Sequence, residues 1–249
     1  MTKHIYLDTE TTGTGDRDRI IQLGFMVVDS NSNDIEVHNG FCLPDVPLSI
    51  SAMETHHVTP DQLVGKPSCI DMPEYLRLLE LNNDENILII HNASFDLKML
   101  EKEGFNNAFQ VVDTLRCAKH LFQDENAHRL QYLRYSLGLY KKEKEEASDL
   151  GIELKAHDAI GDVLFMKILT SALVRQVAIE QSDGNSAPMQ SLVKLTNTPV
   201  LMTKALTFGK HKRKTIKEIA KNDGSYLNWM MENMNLDEDM RYTISKALK

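Results

Sequence analysis

Residues 5–13 read Ile-Tyr-Leu-Asp-Thr-Glu-Thr-Thr-Gly, an apolar strand that runs into two carboxylates, Asp8 and Glu10. Side chains two apart on a strand project from one face. Two acids held side by side repel each other unless a cation lies between them, so a divalent metal is the first chemistry this pattern suggests. Further along, Asp96 follows the apolar run Asn-Ile-Leu-Ile-Ile-His at 86–91, and His157 and Asp162 lie five residues apart near a long helical stretch. Four carboxylates and an imidazole able to converge suit two-metal hydrolysis of a phosphodiester.

The last pair separates by geometry. Residues five apart on a helix point about 140° apart, so His157 belongs in the loop before the helix, with Asp158 as N-cap and Asp162 inside. A histidine on a mobile loop that closes over substrate is the expectation. Each acid alone has an ordinary explanation, as a surface strand-end acid or a first-turn acid satisfying the helix dipole. Their joint order is what gives them weight.

The elements that must position these groups follow from periodicity. Strand-like runs at 4–8, 20–29 and 36–42, with a turn-rich 30–34, imply a three-strand meander. Helical spacing follows at 49–57 and 72–81, then a buried strand at 86–91, a helix at 95–103 closed by Gly104, a strand at 109–113, and helices near 114–122 and 129–137. Antiparallel strands followed by β-α-β-α make an α/β fold with a mixed sheet flanked by helices. Residues 140–155 are highly charged and weakly periodic and read as an exposed segment. A helix at 158–180 precedes a Ser/Gly/Asn/Pro stretch that reads as linker. Helices at 226–234, carrying the only tryptophan, Trp229, and at 237–248 end the chain. The division expected is a main domain at 1–180, a linker at 181–200 and a small basic module at 201–249.

Length and composition bound these readings. At 249 residues, 42% hydrophobic and 26% charged, the chain holds one sizeable core and a small extra module. Cys42, Cys69 and Cys117 lack metal-ligand spacing and read as buried thiols in a reducing compartment. The apolar run after Lys3 is too short for a signal peptide, and no stretch approaches the ~18 apolar residues of a membrane span. A cytoplasmic protein with no membrane contact is expected. The net charge of −8 argues against a protein that merely coats nucleic acid, yet residues 203–221 carry seven Lys or Arg against one acid, Glu218.

The segments Asp8-Thr9-Glu10-Thr11-Thr12-Gly13 and His91-Asn92-Ala93-Ser94-Phe95-Asp96, with the His157-x4-Asp162 spacing, resemble the DEDD exonuclease superfamily in its DnaQ-like branch with a catalytic histidine (DEDDh). The resemblance covers roughly residues 4–175. Ala52-Met53-Glu54-Thr55-His56-His57-Val58-Thr59 and Val112-Asp113-Thr114-Leu115 are supporting matches. It implies a ribonuclease H-like fold with a five-stranded mixed sheet. It further implies a metal-dependent 3′→5′ exonuclease in which Asp8, Glu10, Asp96 and Asp162 hold two Mg²⁺ or Mn²⁺ ions and His157 accepts the proton of the attacking water. A mostly neutral imidazole suits that task, so activity should fall in acid. Also by resemblance, the Thr11, Thr12, Gly13 turn takes the 3′-terminal nucleotide, with His56, Asn92 and Phe95 around it, and nucleoside 5′-monophosphates are released.

Phe208-Gly209-Lys210-His211-Lys212-Arg213-Lys214 and Ser225-Tyr226-Leu227-Asn228-Trp229-Met230 resemble the small C-terminal region of exodeoxyribonuclease X-like proteins. Single-stranded DNA 3′ ends are the substrate this implies, with phosphate contacts from the basic turn. Competing readings keep the chemistry: a polymerase proofreading subunit, with Gln190-Ser191-Leu192-Val193 as a faint sliding-clamp contact, or an exonuclease of RNA ends. A non-catalytic nucleic-acid-binding module is disfavoured by the intact acid set.

Overall fold

The computed structural model describes residues 2–32, 34–152, 158–180 and 187–249. Strands β1 (Lys3–Thr11), β2 (Ile20–Asp29) and β3 (Ile35–Phe41) form the antiparallel meander. Helices α1 (Ile50–His56), α2 (Pro60–Leu63) and α3 (Pro73–Leu81) lead to β4 (Ile87–Ile90), which lies parallel to β1. Helix α4 (Ala93–Lys102) then crosses to β5 (Gln110–Asp113), parallel to β4. The sheet order is β3-β2-β1-β4-β5, the mixed five-stranded sheet expected from the alternation of patterns. Helices α5 (Thr114–Leu121), α6 (Leu130–Ser136), α7 (Tyr140–Leu150), α8 (Ala159–Glu180) and α9 (Pro188–Thr196) follow, then α10 (Ile216–Asn233) and α11 (Glu238–Ala247).

Period-2 alternation along β1 splits the core into two layers. Ile5 and Leu7 face one cluster with Tyr75 and Leu78 of α3 and Met99 and Leu100 of α4, whereas Tyr6 faces another with Val163, Leu164 and Leu169 of α8. Asp8 and Glu10 continue the Tyr6 side, toward α8, and Thr9 continues the other, toward α4. Helix α8 buries apolar residues around most of its circumference, as a helix does when sheet, α5, α6, α7 and α9 surround it. Residues 202–247 carry a separate small core of Leu206, Ile216, Ile219, Leu227, Met230 and Ile244. Arg116 of α5 ties it to the main layers through Asp239 at 3.2 Å and the carbonyls of Thr196 and Thr198.

Three expectations need correction. Strand β1 does not stop at residue 8: it runs to Thr11, and Asp8 and Glu10 pair with Gly24 and Gln22 of β2, so both acids are held by ladder hydrogen bonds. Most of the charged stretch 140–155 is helix α7, because Glu143 is buried against Arg134 and Ala147 packs into the core; residues 153–157 lie outside the described residues. Of the stretch read as linker, 188–196 is helix α9, begun by Pro188 at its first turn. Its Leu192 is fully buried beside α8, so Gln190-Ser191-Leu192-Val193 does not offer that leucine to a clamp. Among the described residues no helix is long and apolar enough to cross a membrane.

Candidate active site

One glycine-sized gap and one buried amide bring the acids together. A Cβ on Gly24, the ladder partner of Asp8, would lie 2.9 Å from the carbonyl carbon and Cβ of Ala159 and from the amide nitrogen of Ile160. Only hydrogen at that position lets the first turn of α8 rest on the sheet. Gln22, wholly buried, donates to Asp158 Oδ1 at 2.7 Å and to Asn39 Oδ1 at 3.0 Å. It fixes the residue just before α8. Asp162, in that first turn, is thereby delivered to β1, and ligand-capable oxygens of Asp8, Glu10 and Asp162 all lie within 4.8 Å of one another.

Asp96 arrives from the other layer. Asn92 adopts a left-handed backbone (φ 73°) that turns the chain from β4 into α4. Asp113, at the end of β5, accepts from the amides of Asn92 and Ala93 at 3.1 Å and also caps α5 through the amides of Leu115 and Arg116. One carboxylate thus anchors the starts of two helices. Asp96 Oδ1 accepts from the Thr9 amide at 3.0 Å and the Thr9 hydroxyl at 2.7 Å. It stands outside the 4.8 Å group of three, yet its charge is felt by both Asp8 and Glu10.

Burial raises the proton affinity of the acids, and they raise one another's further. Burial, then the charges of Asp96, Asp162 and Glu10, drives Asp8 well above the usual carboxylate range. Burial, then Asp162 and Asp96, pushes Glu10 up to about 8. Asp96 and Asp162 are pushed up to about 7, chiefly by burial, against hydrogen bonds from Thr9 and from Gln131 that favour their charged forms. Hard oxygens crowded in this way fit a divalent cation such as Mg²⁺ or Mn²⁺.

Beside the cluster, Glu10, Thr11, Gly13, His56 and Phe95 line a pocket of about 250 Å³, together with Thr9, Thr14, Ser49, Ser51, Ala52 and Thr55. Its floor is built by the β1–β2 turn. Thr12 is fully buried, its hydroxyl donating to Asp18 at 2.7 Å and accepting from the Arg19 amide, and it does not line the pocket. His56 Nδ1 accepts from the Val58 amide at 3.0 Å, so Nε2 carries the proton and donates to the Thr11 carbonyl at 3.2 Å. Both ring nitrogens are therefore committed to backbone; His56 shapes the pocket with its ring and leaves no polar atom for a ligand. Asn92 is exposed and off the pocket wall. On the far side of Asp162 a second groove of about 470 Å³ runs along Arg129, Gln131, Tyr132 and Tyr135 of the α6 region. His157 lies outside the described residues.

Four residues around the acids escaped sequence reasoning: Thr9, Gln22, Gln131 and Arg134, which donates to Gln131 at 3.0 Å. Gln22 carried a signal, as a lone amide inside the apolar run Ile20-Ile21-Gln22-Leu23; a polar side chain inside a buried strand demands a partner. The other three carried none.

Residues 5–168 match the family model described as Exonuclease, and residues 206–235 match that described as Exodeoxyribonuclease X-like C-terminal. The chain is 28% identical to exodeoxyribonuclease 10 of Escherichia coli K12 over 98% of its length and 97% of that protein. It is 31% identical to DNA polymerase III subunit epsilon of Treponema pallidum over 57% of its length and 68% of that protein. Among solved structures, exonuclease X in complex with 5′ overhanging duplex DNA aligns with a TM-score of 0.54 at 20% identity, over 79% of this chain and 99% of that one. E. coli exonuclease I with a dT13 oligonucleotide aligns with a TM-score of 0.54 at 17% identity, over 95% and 61%. The family model spans the strand that bears Asp8 and Glu10, the helix that bears Asp96 and the first turn that bears Asp162, and with that coverage the chain belongs to the exonuclease family.

Proposed function

We propose that the protein is a divalent-metal-dependent 3′→5′ exodeoxyribonuclease that acts preferentially on single-stranded DNA and releases nucleoside 5′-monophosphates. The observation that carries this is the convergence of Asp8, Glu10 and Asp162 oxygens within 4.8 Å beside a pocket of about 250 Å³. Asp8, Glu10, Asp162 and Asp96 would hold two Mg²⁺ or Mn²⁺ ions, which when bound neutralise the acids and favour charge development on the attacking and leaving oxygens of the phosphate.

The chain's own residues set the rest. The pocket is of a size for one terminal nucleotide, which favours cleavage at an end over cleavage within a strand. Phe95, half-buried against the core and open to the pocket, offers a face to a base. The Thr11–Gly13 turn, braced by His56 and Asp18, presents backbone to the terminal 3′ hydroxyl. His157, one residue before Asp158 in the sequence, is assigned on the sequence as the base that takes the proton of the attacking water. A DNA substrate is supported by the near full-length likeness to exodeoxyribonuclease 10 and by the DNA held in the solved relatives. The C-terminal match speaks against a dedicated proofreading subunit, since the epsilon relative covers only 57% of the chain.

The test uses 5′-labelled single-stranded DNA, matched RNA and blunt duplex, each with Mg²⁺ or EDTA, and Asp8→Ala as control. A ladder shortening from the 3′ end, with free nucleoside 5′-monophosphate, is expected on the DNA single strand. Internal cuts, release of the 5′ label as mononucleotide from the start, or an equal ladder in EDTA would refute the reading.

A further inference from the structure

Helices α6 and α7 contribute a part-buried chain of hydrogen bonds that ends on the acid cluster. Glu143, on the helix that sequence charge had marked as exposed, accepts a fork from Arg134: Nε at 2.7 Å and Nη2 at 2.6 Å. Both side chains are almost fully covered. Arg134 Nη1 donates to Gln131 Oε1 at 3.0 Å, and Gln131 Nε2 donates to Asp162 Oδ1 at 2.7 Å. The Arg134 guanidinium is further held 4.0 Å from the ring centroid of Phe165, three residues after Asp162 on α8.

We propose that Gln131, oriented by the Arg134–Glu143 pair, is a positioning residue that fixes the Asp162 carboxylate for metal binding; this rests on the reading of Asp162 as a ligand in the proposed function. The chemistry is directional. A glutamine amide can present either its oxygen or its nitrogen to a carboxylate, and only the nitrogen is attractive. Arginine has donors alone, so Arg134 requires the oxygen of Gln131 to face it and turns the NH₂ group toward Asp162. Glu143 in turn locks the planar fork in one orientation, which a lysine ammonium at 134 would not do. One oxygen of Asp162 is thereby engaged, and the carboxylate is held from rotating freely beside Asp8 and Glu10. Side chains that orient a metal ligand in this way typically account for about 10–100-fold in metal affinity.

A merely structural role, tying α6 and α7 to α8, would be filled by Arg134, Glu143 and Phe165 alone; it gives no reason for the bond to Asp162. The experiment therefore reads metal, not only turnover. Mn²⁺ alone is titrated into the full chain and followed by electron paramagnetic resonance, for the wild type, Gln131→Met, Arg134→Lys and Asp8→Asn, each confirmed as folded by circular dichroism. Gln131→Met and Arg134→Lys are expected to bind Mn²⁺ about 10-fold or more weaker. The Mn²⁺ concentration for half-maximal hydrolysis should rise by the same factor, while kcat at saturating Mn²⁺ and KM for DNA stay within about threefold. Mn²⁺ affinity within about twofold of wild type in folded Gln131→Met, with Asp8→Asn defective, would overturn the positioning role alone. Wild-type affinity in Arg134→Lys would overturn the orienting fork. Unchanged Mn²⁺ binding in Asp8→Asn would remove the metal reading itself, and this inference with it.

Discussion

Crowded, buried acids make the metal-free protein lose stability as pH rises, and the loss follows from the site. Burial and mutual repulsion raise Glu10 to about 8 and Asp162 and Asp96 to about 7 in the folded state, whereas an unfolded chain returns them to the ordinary ~4. The folded state therefore keeps protons that the unfolded state has released. Stability contributed this way is complete below about pH 4 and is lost as pH climbs through 7 and 8. Between pH 5.5 and 8, one group at about 7 accounts for a loss of about 2 kcal/mol, and one at about 8 for about 3 kcal/mol. Because these acids repel one another, they share protons, and the cluster as a whole is set at about 2–5 kcal/mol. For a chain of this length that corresponds to a fall in Tm of roughly 5–15 °C. The assay is thermal unfolding in EDTA at the two pH values, repeated with Mg²⁺ and with Asp8→Asn. Mg²⁺ should raise Tm more at pH 8 than at pH 5.5, where protons compete for the same oxygens, and Asp8→Asn should be more stable than wild type in EDTA at pH 8. A wild-type Tm in EDTA that changes by less than about 2 °C across the window, or an equal Mg²⁺ effect in Asp8→Asn, would refute the reasoning.

Gly24→Ala should destabilise by about 1–3 kcal/mol in urea unfolding and lower activity as well, because the added methyl meets Ala159 and Ile160 at 2.9 Å and lifts Asp162 from Asp8. Asp113→Ala removes the acceptor for four amides at the starts of α4 and α5 and should cost about 2–4 kcal/mol by the same measurement. Replacing Lys212, Arg213 and Lys214 together by Gln should reduce the slope of log Kd against log salt for a single strand by about 2, read by fluorescence anisotropy; Lys210 is left out because Asp223 already holds it at 2.7 Å. An unchanged slope would take the basic turn out of the DNA contact.

Much of the site was legible because its acids sit where patterns change. Asp8 and Glu10 close an apolar run, Asp96 follows another after a turn, and Asp162 opens a long helix; each position is one where a polar group needs a reason. The elements misread were those whose polar residues are satisfied by partners far away in sequence. Glu143 looks like one more solvated acid in Lys-Lys-Glu-Lys-Glu-Glu until Arg134 meets it. Helix α9 is nine residues long, too short for its period to outweigh the Gly and Asn before it and the Pro that begins it, and its helicity comes from packing on β5 and α8. In the C-terminal module, the Thr215-x-x-Glu218 capping box did mark a helix start at Ile216, but the basic residues around it drew the reading toward a turn.

The same contrast separates what the acids supply from what holds them. A carboxylate's identity is local and visible in the sequence, whereas its orientation is a property of contacts: Thr9 for Asp96, Gln131 for Asp162, Gln22 and Gly24 for the approach of α8. Those four are an alcohol, two amides and a residue without a side chain, types that fill surfaces, strands and turns throughout any chain. Their significance comes from three dimensions, since each satisfies a buried oxygen or vacates the space another element must occupy. A site assembled this way predicts a division among variants. Loss of an acid should relieve repulsion in the apoprotein while abolishing hydrolysis, whereas loss of a positioning residue should weaken metal binding without that relief, because the crowded charges remain.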